Sequence, residues 1–577
     1  MAIEMTSGDI FTPEQLEKHV KVYAGPGAGK THFLVENVKN IITMNALITR
    51  SQMRKILCVT YTNAAVDEIK RRLDKFTEHV EVHTIHGFII EHIIQPSQQE
   101  LRDIMESDFG IGVGSKGKIL SQVEGLGILH GIDKSEIYEF IRKMNPSEFS
   151  DDDLESNPTA LYAIRVKFPF IFVDEFQDTN PLQTLLIKLI GQKSTIVGVV
   201  GDIAQSIYSF QGAQPTDFKN FTINGGRELK EYAINGNRRS TKNIVNFCNY
   251  LRQSDSDIVQ VSIRPYDTEA DRENTESKKI HFLMGNSAAI YNIIKNILNN
   301  DGVVLTRTWA AAFDYIQGVD GTQAKLLKNI YNSYYNSPIQ LRDEIAEHNN
   351  VTWVRAFRFI FNLWESYLNG SFIDLIQALK LYATIDVRKI TTKSIFQIRR
   401  ISDNVFSEVN DYSYTCEIIK KFNTEVVKPE FTVLRETLLK CDFTIPLFDE
   451  LDSEKLTTAV AGLSWGTSYK LFTEVFSENS KYMTVHQAKG LEWDKVIISV
   501  TPNKFDKIKL SDLYSKPQLM KENPADEFTR MYYVACSRAK EDLYIHISDE
   551  HLIPEIQASI NTYIEKSKTT IAYEFIQ

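Results

Sequence analysis

The sequence has no long hydrophobic run and few cysteines. Its first residues, MAIEMTSGDIFTPEQ, contain no apolar stretch of the kind that a signal peptide requires. No other stretch approaches the roughly 18 apolar residues of a membrane helix. The five cysteines lie far apart and form no CxxC pair, which argues against a zinc ribbon or an iron–sulfur cluster. These absences predict a protein of the reducing cytoplasm that does not use a membrane.

Positive charge is in the minority. Lys and Arg number 65 against 75 Asp and Glu, and the net charge is −10. This balance speaks against a protein that coats nucleic acid without regard to sequence, although a local basic groove remains compatible with it. The 577 residues correspond to about four structural units at about 150 residues each.

Short β-branched runs alternate with helical patterns along the chain. Eight runs predict strands: VKVYA (20–24), ILCVTYT (56–62), FIFVDE (170–175), TIVGVVGD (195–202), KIHFLM (279–284), GVVLTRT (302–308), KVIISV (495–500) and DLYIHI (542–547). Apolar strands separated by helices are typical of parallel sheets covered on both faces. Because four runs precede residue 205 and four follow residue 278, the pattern predicts two α/β domains, interrupted by helical insertions at 91–160 and 319–478.

A glycine-rich loop follows the first predicted strand and precedes an amphipathic helix. In VYAGPGAGKTHFLVENV the loop residues are Gly25, Pro26, Gly27, Ala28, Gly29, Lys30 and Thr31. Backbone N–H groups at such a helix start can hold a β-phosphate, while Lys30 adds charge and the Thr31 hydroxyl can bind Mg²⁺. The alternative is a chance glycine turn, and the flanking strand and helix argue against it.

Two adjacent carboxylates end a second apolar strand in FIFVDEFQDTN. Buried carboxylates are costly unless a cation or a reaction requires them. Asp174 suits Mg²⁺ coordination, and Glu175 suits the polarisation of an attacking water. The alternative is an acidic cluster at a helix N-terminus, which the neighbouring phosphate loop disfavours.

Eight motifs follow one another in a specific order. They are AGPGAGKT, VTYTNAAVDEIKRRL, VHTIHGF, VDEFQDTN, VVGDIAQSIYSFQGA, NRRSTKNIV, MTVHQAKGLEWDKVII and YYVACSRAKEDLYI. This order resembles the superfamily 1A helicases typified by UvrD, Rep and PcrA. The resemblance implies two RecA-like P-loop domains with parallel sheets, 1–90 with 161–240 and 241–318 with 479–577. The insertions at 91–160 and 319–478 match only in position.

The resemblance also implies a set of ATP-site roles. Lys30 and Thr31 would hold the phosphates and Mg²⁺, Asp174 would bind the metal and Glu175 would be the base. Gln205 would reach the γ-phosphate or its water, and Arg239 and Arg538 would neutralise developing charge. Glu492 matches a residue that contacts the nucleotide sugar. Gln15 and Arg238 stand near the adenine positions, although Gln15 lies closer to the loop than usual and Arg238 replaces a stacking Tyr.

For nucleic acid, the resemblance implies contacts from several motifs. The matching residues are Tyr61, Thr62, Asn63, Thr84, His86, Tyr208, Phe210, Thr484 and His486. Phe210-Gln211 replaces the family's Trp-Arg pair, which keeps a stacking ring and removes one charge. A metal site at His83, His86 and His92 is the alternative for VHTIHGFIIEH. We expect strand contact instead, because no nearby Cys or carboxylate completes that set.

These features predict an ATP- and Mg²⁺-dependent helicase or translocase on single-stranded DNA, with 3′→5′ polarity by resemblance. A second hypothesis is a nucleotide-gated DNA-sensing subunit that unwinds little, because Arg238 and Gln211 depart from the family pattern and the insertions are small. The resemblance also implies a possible context, since small UvrD-like helicases occur beside an OLD-family nuclease in anti-phage systems such as Gabija. A nuclease subunit would then be its partner. An RNA-directed motor is a third hypothesis, which no residue pattern favours.

Overall fold

The computed structural model describes residues 2–94, 160–209, 212–225, 227–253, 258–334, 352–381, 391–426, 428–431, 461–475, 480–504, 506–516 and 526–577. The predicted insertion at 91–160 therefore falls almost wholly outside the described residues, as do Phe210 and Gln211.

The strands form two large sheets and one small one. They are β1 Ile3–Met5, β2 His19–Ala24, β3 Ile56–Thr60, β4 Val80–Thr84, β5 Phe170–Val173, β6 Ile196–Gly201, β7 Leu229–Ile234, β8 Gly236–Asn237, β9 Val261–Ser262, β10 Ile280–Met284, β11 Val303–Thr306, β12 Tyr482–Thr484, β13 Trp493–Ser499, β14 Ala539–Ile547 and β15 Tyr573–Ile576. The first sheet has the order β1-β7-β2-β6-β5-β3-β4, the second β12-β11-β13-β14-β10-β15, and β8 pairs with β9. All pairings in these sheets are parallel.

The predicted α/β class is confirmed, and each of the eight predicted runs contains a strand. The runs before residue 205 lie in the first sheet and those after residue 278 lie in the second. The sequence patterns missed mainly short or edge strands, such as β1, β12 and β15. β4 escaped detection because its buried positions alternate with half-buried ones, as expected of a strand at the edge of a sheet.

The helices connect and cover these strands. They are α1 Lys30–Met44, α2 Ala46–Thr49, α3 Asn63–Leu73, α4 Ile85–Ile89, α5 Ala160–Lys167, α6 Pro181–Gly191, α7 Pro215–Lys219, α8 Lys242–Leu251, α9 Glu269–Glu276, α10 Ala288–Asn299, α11 Trp309–Ala312, α12 Gly321–Tyr334, α13 Thr352–Asn369, α14 Phe372–Leu381, α15 Thr392–Phe406, α16 Thr415–Val426, α17 Trp465–Lys470, α18 Leu510–Ser515, α19 Glu527–Cys536 and α20 Ile553–Ser567. A π-helical turn, Ile90–Ile94, extends α4. Of the described helices, none is both long and apolar enough to cross a membrane.

The central strands β2, β3, β5 and β6 of the first sheet are buried on both faces. Every residue of β2 is buried. Val20 and Val22 pack with Leu34 and Val38 of α1 on one face. On the other face, residues of β5 and β6 pack against α6. This two-sided packing brings the carboxyl ends of β2, β5 and β6 together at one edge, where the loops carry the predicted site residues.

The described residues between 352 and 475 are mainly helical. The helices α13 to α17 share one apolar cluster with a face of the second sheet. Phe359 and Trp465 belong to that cluster, together with Leu283 of β10 and Val304 of β11. These helices therefore pack continuously onto the sheet that they interrupt in sequence.

Candidate nucleotide site and DNA-facing surface

The glycine-rich loop lies between β2 and α1, as its sequence predicts. Gly27 and Gly29 have φ of 68° and 82°, a left-handed conformation that favours glycine. A Cβ at Gly29 would lie 2.9 Å from Cβ of Ser7, and one at Gly27 would lie 2.7 Å from Cβ of Arg239. The loop therefore requires glycine at both positions, and it leads directly into the N-terminus of α1 at Lys30.

The two predicted carboxylates stand against this loop. The Thr31 hydroxyl donates to Oδ2 of Asp174 over 3.4 Å, and Lys30 Nζ lies 3.5 Å from Oε1 of Glu175. Glu175 has φ of 53°, which is unusual for a residue other than glycine and typical of functional sites. A hydroxyl and a carboxylate oxygen at the start of a helix are the hard donors that Mg²⁺ prefers. The residues present thus fit Mg·ATP.

The electrostatics separate the two carboxylates. Burial raises the pKa of Asp174, and the adjacent charge of Glu175 raises it further. Burial also acts on Glu175, but Lys30 and Lys489 more than offset it and lower the pKa of Glu175 below its usual value. Glu175 is therefore held in the ionised form that a base requires, whereas ionised Asp174 requires a cation beside it.

The second sheet contributes Arg538 to the same site. Arg538 precedes β14, and its Nη2 donates to Oε1 of Gln205 over 3.2 Å. The amide Nε2 of Gln205 donates in turn to Oδ2 of Asp202 over 2.9 Å. Both ends of the Gln205 side chain are thereby fixed. Burial and the neighbouring charge of Arg239 lower the pKa of Arg538 to about 9.

Arg239 lies beside the loop and also reaches the second sheet. Its Nε is 2.5 Å from Oε2 of Glu492, and its Nη1 donates to the carbonyl of Ser537 over 3.1 Å. The contact that a Cβ at Gly27 would make with Arg239 places the arginine against the phosphate loop. The structure thus brings Arg239, Arg538 and Glu492 to one side of the loop.

The predicted adenine residues contact the N-terminal segment of the chain. Arg238 Nε donates to Oγ of Ser7 over 3.0 Å, and its backbone N–H donates to the carbonyl of Gly27 over 2.9 Å. Gln15 Oε1 accepts from the backbone N–H of Thr12 over 2.8 Å. These bonds tie both side chains to the segment that precedes β2.

Asn237 and Gln260 are site residues that the sequence patterns did not indicate. Asn237 Nδ2 and Gln260 Nε2 both donate to the carbonyl of Pro26, over 2.8 and 3.0 Å. Asn237 ends β8, and Gln260 immediately precedes β9, its pairing partner. Asn237 stands first in the motif NRRSTKNIV but received no role there, whereas Gln260 lies outside the eight motifs and had no local signal.

Lys489 is the most central residue that the sequence reasoning missed. Its Nζ forms an ion pair with Asp178, donates to the carbonyl of Gln205 over 2.9 Å and lies 3.9 Å from Oε2 of Glu175. Burial raises the pKa of Asp178 to about 6 even with this partner. The signal was present, since Lys489 stands in the motif MTVHQAKGLEW just before Glu492.

Asp202, which accepts a hydrogen bond from Gln205, also forms a buried ion pair with Arg252. Nη2 of Arg252, the residue that follows α8, lies 3.1 Å from Oδ1 of Asp202, and its Nη1 donates to the hydroxyl of Tyr533 over 3.0 Å. Both charged side chains are almost fully buried. Asp202 thus joins Gln205 of the first sheet's edge to helices of the second sheet.

The predicted DNA residues of the first sheet lie at the ends of β3 and β4. Thr62 caps α3 by accepting from the backbone N–H of Ala65 over 3.2 Å, and Asn63 begins that helix. The Thr84 hydroxyl accepts from the N–H of Gly87 over 3.1 Å. Two threonines of this set therefore accept backbone hydrogen bonds where α3 and α4 begin.

Aromatic residues connect the two sheets beside the nucleotide loop. The rings of Tyr61 and Tyr208 stack with centroids 4.7 Å apart, and His486 lies 5.7 Å from Tyr208. His86 lies 6.2 Å from Tyr61. His486 also contacts the carbonyl of Ile207 through Nε2 at 2.9 Å.

Thr484 ends β12 and donates to Oε1 of Gln487 over 3.3 Å. Phe210, the other predicted stacking residue, lies outside the described residues. The four aromatic residues that the structure does describe therefore form one cluster, to which both sheets contribute and in which Tyr208 is buried.

The expectation that no carboxylate completes the histidine set is wrong. Glu81, His83 and His92 each offer a ligand atom, and these atoms lie within 4.8 Å of one another. Glu81 and His83 share one face of β4 because they are two residues apart in a strand. His86 does not belong to this group.

Comparison with known proteins agrees with this geometry. The family model of the UvrD/REP helicase N-terminal domain matches residues 10–112 and 134–224, and that of the UvrD-like helicase C-terminal domain matches 451–550. The chain is 24% identical to Gabija protein GajB of Bacillus cereus strain HuB5-5, with 94% of each chain covered. It is 22% identical to ATP-dependent DNA helicase PcrA of Staphylococcus aureus strain Mu50, with 93% of this chain and 82% of PcrA covered. The chain belongs to the UvrD-like helicase family.

Proposed function

We propose that this chain, as a member of the UvrD-like helicase family, is an ATP-dependent translocase and helicase that moves 3′→5′ on single-stranded DNA. The observation that carries the proposal is the contact between Gln205 and Arg538. A residue suited to the γ-phosphate or its water is thereby joined to an arginine of the other sheet. Hydrolysis would then depend on how the two sheets meet.

The chain's own residues supply the chemistry of the ATP site. Lys30 and the loop amides would hold the phosphates, and Glu175 would accept the proton of the attacking water. Thr31 and Asp174 would hold Mg²⁺, which offsets phosphate charge when bound. Arg239 and Arg538 would stabilise the charge that develops on the γ-phosphate. Phosphoryl transfer is catalysed mainly by such positioning and charge stabilisation.

Coupling to DNA would run through the segment between Gln205 and Tyr208. Gln205 accepts a hydrogen bond from Arg538 at the proposed ATP site. Three residues later, Tyr208 stacks on Tyr61. A shift of Arg538 with the nucleotide state would therefore reach the aromatic cluster through a very short length of chain. Bases that stack on this cluster would shift with it, as would bases on Phe210.

A second candidate is a nucleotide-gated DNA-sensing subunit with little unwinding activity, partnered by a nuclease. It is supported by the similarity to GajB over nearly the whole chain and by Arg238 and Gln211, which replace an aromatic and a charged residue of the family pattern. Both candidates assume two RecA-like domains, 1–90 with 161–240 and 241–318 with 479–577.

One experiment separates the two candidates. ATP hydrolysis is measured with and without single-stranded DNA, and strand separation is measured on 3′-tailed and 5′-tailed duplexes, with Lys30→Ala as the inactive control. The translocase predicts DNA-stimulated hydrolysis and unwinding of the 3′-tailed substrate. Stimulated hydrolysis without separation of either duplex would support the sensor. No hydrolysis in the wild type would refute the enzyme proposal.

A further inference from the structure

A compact group of imidazoles and carboxylates lies on the first sheet, apart from the nucleotide loop. Glu81 and His83 project from β4, and Glu91 and His92 come from the π-helical turn that follows α4. Such turns occur frequently at functional sites, because they redirect side chains within a helix. We call Glu81, His83 and His92 the β4 triad.

The spacing of the triad matches a small metal ion. Oε2 of Glu81 lies 3.2 Å from Nε2 of His92 and 3.7 Å from Nε2 of His83. Zinc bonds of about 2.0–2.2 Å in a tetrahedron place the ligand atoms about 3.4 Å apart. The two distances to Glu81 therefore lie near those that a shared Zn²⁺ imposes, all three ligand atoms lie within 4.8 Å of one another, and one coordination position is left for water.

The surroundings of the triad are those of a metal-binding site. His92 Nε2 is buried and faces Oε2 of Glu81, and the His92 ring packs against Phe88 and Phe168. Nδ1 of His83 lies 3.5 Å from Oε2 of Glu91. Metal-bound histidines typically direct their second nitrogen at such a carboxylate, which fixes the ring orientation.

Two lysines also face the triad, and both form ion pairs with Oε1 of Glu81. Lys167 Nζ lies 2.9 Å from Oε1 and Lys55 Nζ lies 3.5 Å from the same atom. Lys167 also reaches Oε2 over 3.0 Å. Because Oε1 keeps the lysines, Oε2 can turn to a cation while the ammonium groups retain a partner. Their charge weakens cation binding but also keeps the carboxylate ionised.

We infer that Glu81, His83 and His92 form a zinc-binding site, with Glu91 orienting His83 and water completing the coordination. This site goes beyond the proposed helicase function and does not depend on it. A bound Zn²⁺ would fasten the edge strand β4, which carries Thr84, to the turn at 90–94. This turn lies at the start of the predicted insertion at 91–160.

Cobalt absorption tests the site with the full-length chain. The protein is treated with a chelator and titrated with Co²⁺ in excess Mg²⁺, without ATP or DNA, and Zn²⁺ is then added as a competitor. We expect one equivalent of Co²⁺ with the intense visible absorption of four-coordinate geometry, lost when Zn²⁺ replaces it. In His83→Gln and in His92→Gln we expect affinity to fall at least about tenfold, since loss of an outer partner alone costs that much.

Two controls make the result specific. His79→Gln removes a nearby histidine that pairs with Glu78 outside the triad, and it should bind Co²⁺ as the wild type does. Asp174→Asn should also retain the signal, because the Mg²⁺ residues are separate from the triad. If the wild type shows no such absorption, or if both triad variants match it, the cluster is an ion-pair network only and the zinc site is refuted. Neither result bears on ATP hydrolysis.

Discussion

Nη2 of Arg538 lies 3.2 Å from Oε1 of Gln205, although 333 residues separate them in sequence. Gln205 follows β6 of the first sheet, and Arg538 precedes β14 of the second. The contact makes an arginine from one sheet the partner of a residue on the other sheet that we propose reaches the γ-phosphate or its attacking water. The catalytic predictions start from this arrangement.

Arg538→Ala should lower kcat for DNA-stimulated ATP hydrolysis by about 10³-fold or more, the range measured for arginines that neutralise charge in phosphoryl transfer. Nucleotide affinity should change much less, because the loop and Lys30 remain. Steady-state kinetics and binding of a fluorescent nucleotide measure the two effects. Arg272→Ala, on the exposed helix α9, is the matched control. Equal kcat for Arg538→Ala and the control would contradict the assigned role.

Gly29→Ala should weaken nucleotide binding and destabilise the protein. The left-handed conformation costs a residue with a Cβ about 1–2 kcal/mol, and contact with Ser7 adds to this cost. The loop must then shift away from the geometry that presents its amides. Isothermal titration with ATP analogues and thermal unfolding measure both effects. Gly321→Ala meets no atom within 4 Å and should be neutral in both assays.

Lys489→Met should destabilise the protein by about 3–5 kcal/mol, because it leaves the carboxylate of Asp178 buried without a partner. The double variant with Asp178→Asn should recover part of this loss, and chemical unfolding measures each free energy. Lys328→Met breaks a more exposed pair with Asp314 and should cost about 1 kcal/mol or less. Equal costs for the two lysines would show that the interior pair has no special role.

Tyr61→Ala should reduce affinity for single-stranded DNA by about 1–3 kcal/mol, the value of one stacked base. Tyr61→Phe keeps the ring and should retain most of the affinity. Fluorescence anisotropy with a labelled oligothymidine measures both. Tyr162→Ala removes an exposed tyrosine of α5 and serves as the control. If Tyr61→Ala binds as tightly as this control, Tyr61 does not stack on a base.

His19 makes stability depend on pH. Burial, aided by the charge of Arg227, lowers the pKa of His19 to about 4. Its Nδ1 accepts from the backbone N–H of Val197 over 3.1 Å and must therefore lack a proton. The unfolded chain takes up a proton below a pKa of about 6.5, so stability is lost as pH falls from there toward 4.

Between pH 7 and pH 5 this residue should account for about 2 kcal/mol of lost unfolding free energy. Urea unfolding at both pH values measures the loss. In His19→Gln the pH dependence should be smaller by that amount, whereas His551→Gln, at an exposed position, should unfold with the wild-type pH dependence. An unchanged pH dependence in His19→Gln would show that His19 does not resist protonation.

The glycine-rich loop and the two carboxylates could be predicted because the residues that form each of them are close together in sequence. The loop between β2 and α1 and the carboxylates after β5 follow from a strand, a turn and a helix read in order. The position of Lys489 in the motif MTVHQAKGLEW could have identified it as a site residue. Its partner could not be identified in this way, because Asp178 lies 311 residues away and only the meeting of the two sheets brings them together.

The same limit applies to residues that act from a distance. Gln260 reaches the carbonyl of Pro26 across 234 residues. The metal-binding triad was missed for a different reason. Glu81 stands two residues before His83 in plain view, but the strand character of β4, which puts both on one face, was not recognised.

The order of the strands also has a consequence for synthesis. In chain order, the last strand of the first sheet is β7, Leu229–Ile234. The second sheet is completed much later, because it includes β14, Ala539–Ile547, which Arg538 precedes. Domains generally fold as units as they leave the ribosome, at about 5–20 residues per second. A nascent chain would therefore complete the phosphate loop tens of seconds before Arg538 is made. We expect it to bind nucleotide without turning it over, so hydrolysis begins only on a finished molecule.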